Sequence, residues 1–179
     1  MSSTFSILTE TCRAGISTSL LLSAFWKTRH VEEFRLAYRT FVPRRYYGID
    51  RSALYVLATA EVVFGLLLWM PRLIGRLAAF GAGGLLVSFL VIVAMQRDLS
   101  KGCGCWGSSQ PVTRGVYVVR NSLLALGGVL AAMPLRTQPT SIAATSALLG
   151  ICCALLIMSI PQIAGVLHPM QSAEQGASK

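Results

Sequence analysis

The chain has 179 residues, of which 54% are hydrophobic and 13% charged, with a mean hydropathy of +0.61. A water-soluble domain carries about 25% charged residues, so this composition excludes one and selects an integral membrane protein. The net charge of +9 would suit a nucleic-acid partner, but the basic residues flank apolar runs instead of forming an aromatic-laced polar face. That placement excludes nucleic-acid binding and fits lipid head groups and the positive-inside bias of membrane proteins.

The opening segment "MSSTFSILTETCRAG" has no basic n-region, and no small-residue cleavage site follows a short apolar core. The first apolar run is therefore expected to stay as an anchor. Its uninterrupted part, 14–26, reaches only about 20 Å as a helix. To span a bilayer it must begin near Phe5 and take Glu10 and Arg13 into or beside the membrane. Those two residues are spaced to pair on one helical face.

Residues 27–52 form the one long polar connection, dense in charge and aromatics. Phe34, Tyr38 and Phe41 fall at spacings of four and three. This suits either an amphipathic helical turn on the membrane surface, ended by Pro43, or a solvated charged loop.

Three clean spans follow at about 53–70, 73–95 and 116–133, each near the roughly 20 apolar residues a bilayer requires. A fifth runs from about Ile142 to Leu167, with Pro161 expected to kink or end it. The small, polar residues 169–179 read as a disordered tail. The fold class is all-α: a polytopic transmembrane bundle in the cell membrane, with a core over 1–135 and an additional span within 136–168.

The ionisable residue in the second span, Glu61, is a functional candidate by its cost, and pairing with Arg13 at similar depth gives it a structural alternative. Arg120, one turn into the fourth span, can compete as that partner or snorkel to the surface. The small residues Gly81–Leu86 suggest close helix contact. Cys152 and Cys153 are adjacent, so on a helix they diverge by about 100°; packing in the interior is the expected role. Cys12 is expected at the bundle end opposite Cys103. His30 and His168 stand alone.

The segment "LSKGCGCWGSSQP" at 99–111 carries the distinctive chemistry. Cysteines at i and i+2 around a glycine can close a small, strained disulfide ring, and strain makes a disulfide easier to pass on. Lys101, Arg97 and Arg114 favour the thiolate that attacks, and Trp106 belongs at the membrane–water boundary. From the residues alone, three readings stand: a redox pair, a two-thiolate copper(I) site, and plain loop thiols. No four-ligand zinc set is visible. Five cysteines cannot all pair within one chain.

Taken together, several motifs resemble the methylamine-utilisation MauE family within the DoxX-like group of small membrane proteins. They are the exit "FWK" (Phe25 to Lys27), the following "EEF", the single glutamate in "ATAEVVFGLLLW", and Cys103-Gly104-Cys105-Trp106-Gly107 after the third span. The resemblance covers about Arg13 to Met133. The family's aromatic after the second cysteine is usually phenylalanine, and many members have a proline before the glutamate where this chain has Thr59 and Ala60.

The resemblance implies maturation of methylamine dehydrogenase, whose light subunit needs many disulfides, beside a thioredoxin-like partner. On that basis Cys103 and Cys105 are the candidate exchange pair, with Lys101, Gly104, Trp106, Gly107, Glu61, Arg13 and Lys27 in support. The chain would act as a thiol–disulfide oxidoreductase accessory for an exported client. A quinone acceptor is compatible with this chemistry, although no residue demands one. Two alternatives are a non-catalytic assembly subunit binding a partner through residues 27–52, and a copper(I)-binding membrane protein.

Five spans put the 27–52 connection and the cysteine loop on one side. Ten basic residues lie there: Lys27, Arg29, Arg35, Arg39, Arg44, Arg45, Arg51, Arg97, Lys101 and Arg114. The other side has four, namely Arg13, Arg72, Arg76 and Arg136. Positive-inside places the cysteines in the cytoplasm, whereas oxidation of an exported client requires them outside. The sequence leaves the two in conflict.

Overall fold

Hydrophobic runs bounded by basic residues and prolines become helices in the computed structural model, which describes residues 3–41, 48, 50–70, 72–95, 114–133 and 140–177. The helices are α1 (Ser3–Arg29), α2 (Val31–Phe41), α3 (Asp50–Leu67), α4 (Arg72–Met95), α5 (Arg114–Ala131) and α6 (Thr140–Ala177). No strand occurs among the described residues, so the all-α expectation holds.

Helix α1 runs past the expected end of the first span, to Arg29, and places Lys27 and Arg29 in its last turn. Cations there complement the partial negative charge of the helix C-terminus. Lys27, counted above with the solvated connection, is thus a helical residue. Only His30 separates α1 from α2. Helix α2 has Glu32 and Glu33 in its first turn and Arg39 in its last, again matching the dipole. The amphipathic surface helix is therefore formed. Phe34 is buried and stacks on Tyr38, with ring centroids 6.2 Å apart.

The central element is α1, which packs against α3, α5 and α6. Helix α3 runs antiparallel to it, since Ser17 meets Gly65 and Ser23 meets Glu61. Helix α5 is also antiparallel: Arg13 meets Ala131, and Ile16 lies against Gly127. Helix α4 passes from the Arg13 end, at Gly75, to the Lys27 end, at Phe89. A Cβ added at Gly128 would stand 3.1 Å from the Gly83 Cα, so α4 and α5 touch backbone to backbone, as the small-residue run predicts. Ile16, Leu20, Ala82, Leu86, Leu124 and Met158 fill the apolar core.

The final helix departs from the sequence reading. It continues through Pro161 and as far as Ala177, so the proline, expected to kink or end the span, does not end it. Proline removes one backbone hydrogen bond from the ladder, and the Met, Gln, Ala and Glu residues beyond Pro169 are strong helix formers. On the α1 side, a Cβ at Gly150 would run into the Thr11 carbonyl. The inward stripe of α6 is Ser146, Gly150, Ala154 and Met158. Cys152 and Cys153 fall off this stripe and are exposed, so interior packing is not their role.

Among the described residues, two segments, Leu73–Ile92 and Ile142–Ile160, are long and apolar enough to cross a membrane, and Gly115–Ala131 is a shorter apolar helix. Their outward faces carry large apolar side chains, among them Phe80 (68% exposed) and Leu156 (67%). The charged side chains of Arg13, Lys27, Glu61 and Arg120 are buried inside instead. This pattern inverts that of a water-soluble bundle and is the one a lipid solvent imposes.

Candidate functional site

Buried polar residues recur along α1 in two series, Ser6, Thr9, Arg13 and Ser17, then Ser19, Ser23 and Lys27. Spacings of three and four put residues on one helical face. Helices α3 and α5 supply the partners of Arg13, Ser17, Ser23 and Lys27.

Near the C-terminal end of α1, Lys27 (2% exposed) and Glu61 (1%) form a buried ion pair. Lys27 Nζ donates to Glu61 Oε1 at 2.5 Å and to Ser23 Oγ at 2.5 Å. Ser23 Oγ in turn donates to the same carboxylate oxygen at 3.1 Å. Lysine and serine lie one turn apart on α1, which lets both reach a single oxygen on α3. Phe89 of α4 offers its ring 5.3 Å from the ammonium, a cation–π distance. Four side chains from three helices thus enclose the ammonium and carboxylate.

The N-terminal part of α5 adds a second polar group at this end of the bundle. Arg120, 2% exposed, donates through Nε and Nη2 to Asn121 Oδ1 at 3.3 and 3.1 Å and lies over the Tyr117 ring at 5.7 Å. It is buried and does not snorkel to the surface. Outside the bundle, His30 stacks on Trp26 with centroids 4.2 Å apart and contacts Glu33 at 3.3 Å. Arg35 pairs with Glu32 at 2.8 Å.

The expected Arg13–Glu61 pair is not formed. In the antiparallel register Glu61 stands opposite Ser23 and Lys27. Arg13 lies ten residues before Ser23, about 15 Å along the helix at 1.5 Å per residue. Arg13 Nε instead donates to the carbonyl of Ala131, the last residue of α5, at 2.9 Å. A Cβ at Gly75 would stand 3.3 Å from Arg13 Nη1 and 3.4 Å from the Leu68 carbonyl. Arg13 therefore sits where the C-terminal ends of α3 and α5 converge, a position that favours a cation. Glu10 lies close enough to interact with it electrostatically. Cys12 also lies toward this end, near the close contact of Thr11 with Gly150.

Two further contacts lock α1 to α3 midway. Ser17 Oγ donates to the Gly65 carbonyl at 2.8 Å, and Trp69 Nε1 donates to Ser17 Oγ at 2.9 Å.

Of the candidate residues, the structure brings Lys27 and Glu61 together and separates Arg13 from them. Lys101, Cys103, Gly104, Cys105, Trp106 and Gly107 lie outside the described residues. The flanking helices still define where that segment leaves and returns. Residues 96–113 connect the end of α4 to the start of α5, the bundle end that holds Lys27, Glu61 and Arg120. Sequence reasoning missed Ser23 and Phe89. The serine was legible in the three-and-four spacing of polar residues in α1, whereas nothing in the sequence marked the phenylalanine.

The family model described as methylamine utilisation protein MauE matches residues 5–135. The matched region spans α1 to α5 and stops before α6. No curated protein and no solved structure matches the chain.

Proposed function

The chain belongs to the MauE family of methylamine-utilisation proteins, and from that premise we propose that it is a multi-pass membrane redox accessory acting through Cys103 and Cys105. Four spans make the family core, and α6, which lies beyond the matched region, is a fifth span. The supporting observation is the buried Lys27–Ser23–Glu61 group at the bundle end joined by residues 96–113. An ionisable pair inside membrane helices is costly and marks function by default. Here it stands at the end of the bundle from which the cysteine segment departs.

In the proposed cycle a client thiolate attacks the Cys103–Cys105 disulfide, giving a mixed disulfide and one free cysteine thiolate. A second client thiolate then displaces the remaining bond. The client leaves oxidised, and the pair is left as a dithiol. Regeneration passes two electrons and two protons to an acceptor, either the disulfide of a thioredoxin-like partner or a quinone. Lys101, Arg97 and Arg114 favour the thiolate form of Cys103 and Cys105, which leaves when the client attacks and is itself the nucleophile during regeneration on a disulfide partner. Clients of this chemistry are exported proteins bearing disulfides, of which methylamine dehydrogenase is the family's example.

The deciding test is side-specific thiol labelling in intact cells, with Cys12, Cys152 and Cys153 replaced by serine. Labelling by an impermeant reagent only after reduction supports an exterior disulfide and the redox reading. Reaction with a permeant reagent alone, without reduction, identifies a cytoplasmic dithiol and ends the exported-client mechanism.

A second reading draws on α2. Leu36 is 59% exposed, beside the exposed Glu32 and Glu33, and such a face suits a partner-binding assembly subunit. Unchanged client disulfides in a Cys103→Ser/Cys105→Ser variant would favour it.

A further inference from the structure

We propose that Glu61 is a proton-exchanging carboxyl held for that task by Ser23 and Lys27. The reaction it serves rests on the redox reading above, but the site itself consists wholly of described residues.

Adhesion between α1 and α3 does not require this pair. The Ser17–Gly65 and Trp69–Ser17 hydrogen bonds already join the two helices, and Leu20 and Leu68 belong to their shared apolar core. A further buried ion pair carries a desolvation cost that apolar residues would avoid.

The geometry of the pair is that of a relay. Two donors converge on Glu61 Oε1: the ammonium directly, and the Ser23 hydroxyl, which also accepts from that ammonium. A proton can therefore pass from nitrogen to carboxylate in one step or through the hydroxyl. Either route converts an ion pair into a neutral amine and acid with no change in net charge, so a low dielectric does not oppose the transfer. Phe89 closes one side of the ammonium, which limits competing water.

Oxidation of two thiols to a disulfide releases two electrons and two protons. The electrons go to the acceptor named above. One proton is taken up by the Lys27 amine of the neutral pair as the Glu61 acid gives its own proton to water at that end, which restores the ion pair; the other thiol proton goes directly to water, and the acceptor draws two protons from water as it is reduced. Glu61 is here a positioning and proton-holding residue, and its role is separable from helix adhesion.

The test compares wild type with Lys27→Met/Glu61→Met in full-length protein reconstituted in phosphatidylglycerol-containing nanodiscs. Replacing a buried ion pair by apolar residues of similar volume preserves folding in other proteins. Thiol oxidation by a short-chain benzoquinone is followed against pH. The expected result is a folded double variant whose oxidation slows about 100-fold, the scale of general acid–base contributions, and no longer responds to pH as the wild type does. Oxidation at the wild-type rate with the wild-type pH profile would overturn the proposal. Should the double variant fail to fold, Glu61→Gln, which keeps the side-chain shape, is measured in its place with the same two outcomes.

Infrared difference spectroscopy supplies a readout independent of the cysteines. In Cys103→Ser/Cys105→Ser protein, a pH jump should produce a carboxylic-acid C=O band that Glu61→Gln abolishes. A spectrum without a Glu61-dependent band refutes proton exchange. If wild-type thiols resist the quinone altogether, the redox reading fails, while the infrared band still decides for or against Glu61.

Discussion

Helices α1 and α6 answer the same solvent in opposite ways. Helix α6 contains the long apolar segment Ile142–Ile160, shows Leu148, Leu149, Leu155 and Leu156 to the outside, and touches α1 along one stripe of small residues. Helix α1 carries Glu10, Arg13, Lys27 and a file of serines and threonines, yet occupies the centre of the bundle. The contrast shows that in lipid a span needs apolar residues only where it meets lipid. A helix enclosed by its neighbours can be polar, provided each polar group finds a partner. This explains why α1 is hard to read by hydropathy.

That contrast fails first if the charges inside α1 contribute nothing. Lys27→Ala and Glu61→Ala should each destabilise the protein by about 3–5 kcal/mol, the cost of leaving one buried charge unpaired. Chemical unfolding in detergent would measure it. Lys27→Glu combined with Glu61→Lys should recover part of the loss, whereas exchanging Arg13 and Glu61 should recover none. Rescue by the latter swap would restore the pairing that the structure replaces.

Arg13→Ala comes next, at about 1.5–3 kcal/mol for a charge-assisted hydrogen bond. Its effect should localise to the C-terminal turns of α5, visible as faster amide exchange near Ala131. Gly150→Ala tests the contact between the two helices. Its Cβ meets the Thr11 carbonyl, and overpacking of this kind costs about 1–3 kcal/mol. The smallest effect belongs to the outward face of α6: Cys152→Ala and Cys153→Ala should each change stability by less than about 0.5 kcal/mol. A larger loss at either cysteine would mean that this face is covered, and the polar-centre, apolar-rim division would need redrawing.

Much of the fold was legible. Helices α3, α4 and α5 emerged from apolar runs with basic and proline boundaries, and α2 from the spacing of Phe34 and Tyr38. The charged site was legible only as components. Glu61 stood out by its cost in a span, but its partner depends on the stagger of α1 against α3. Similar depth allowed Arg13 as well as Lys27, and a lysine at the end of an apolar run reads as a solvated flank until the helix is seen to continue past it. Cys152 and Cys153 show the same limit, since burial on α6 is decided by which stripe the neighbouring helix covers.

The sequence by itself determined the helical class, the positions of the apolar helices and the family, because apolar run length and local motifs are properties of contiguous residues. Only the tertiary structure decided that α1 is central, that Lys27 turns inward to Glu61 and Ser23, and that Arg13 serves the ends of α5 and α3. Those outcomes depend on helix register and on which faces meet. Register is set by close backbone contacts such as Gly83 with Gly128 and Gly150 with Thr11, which act between residues far apart in the chain.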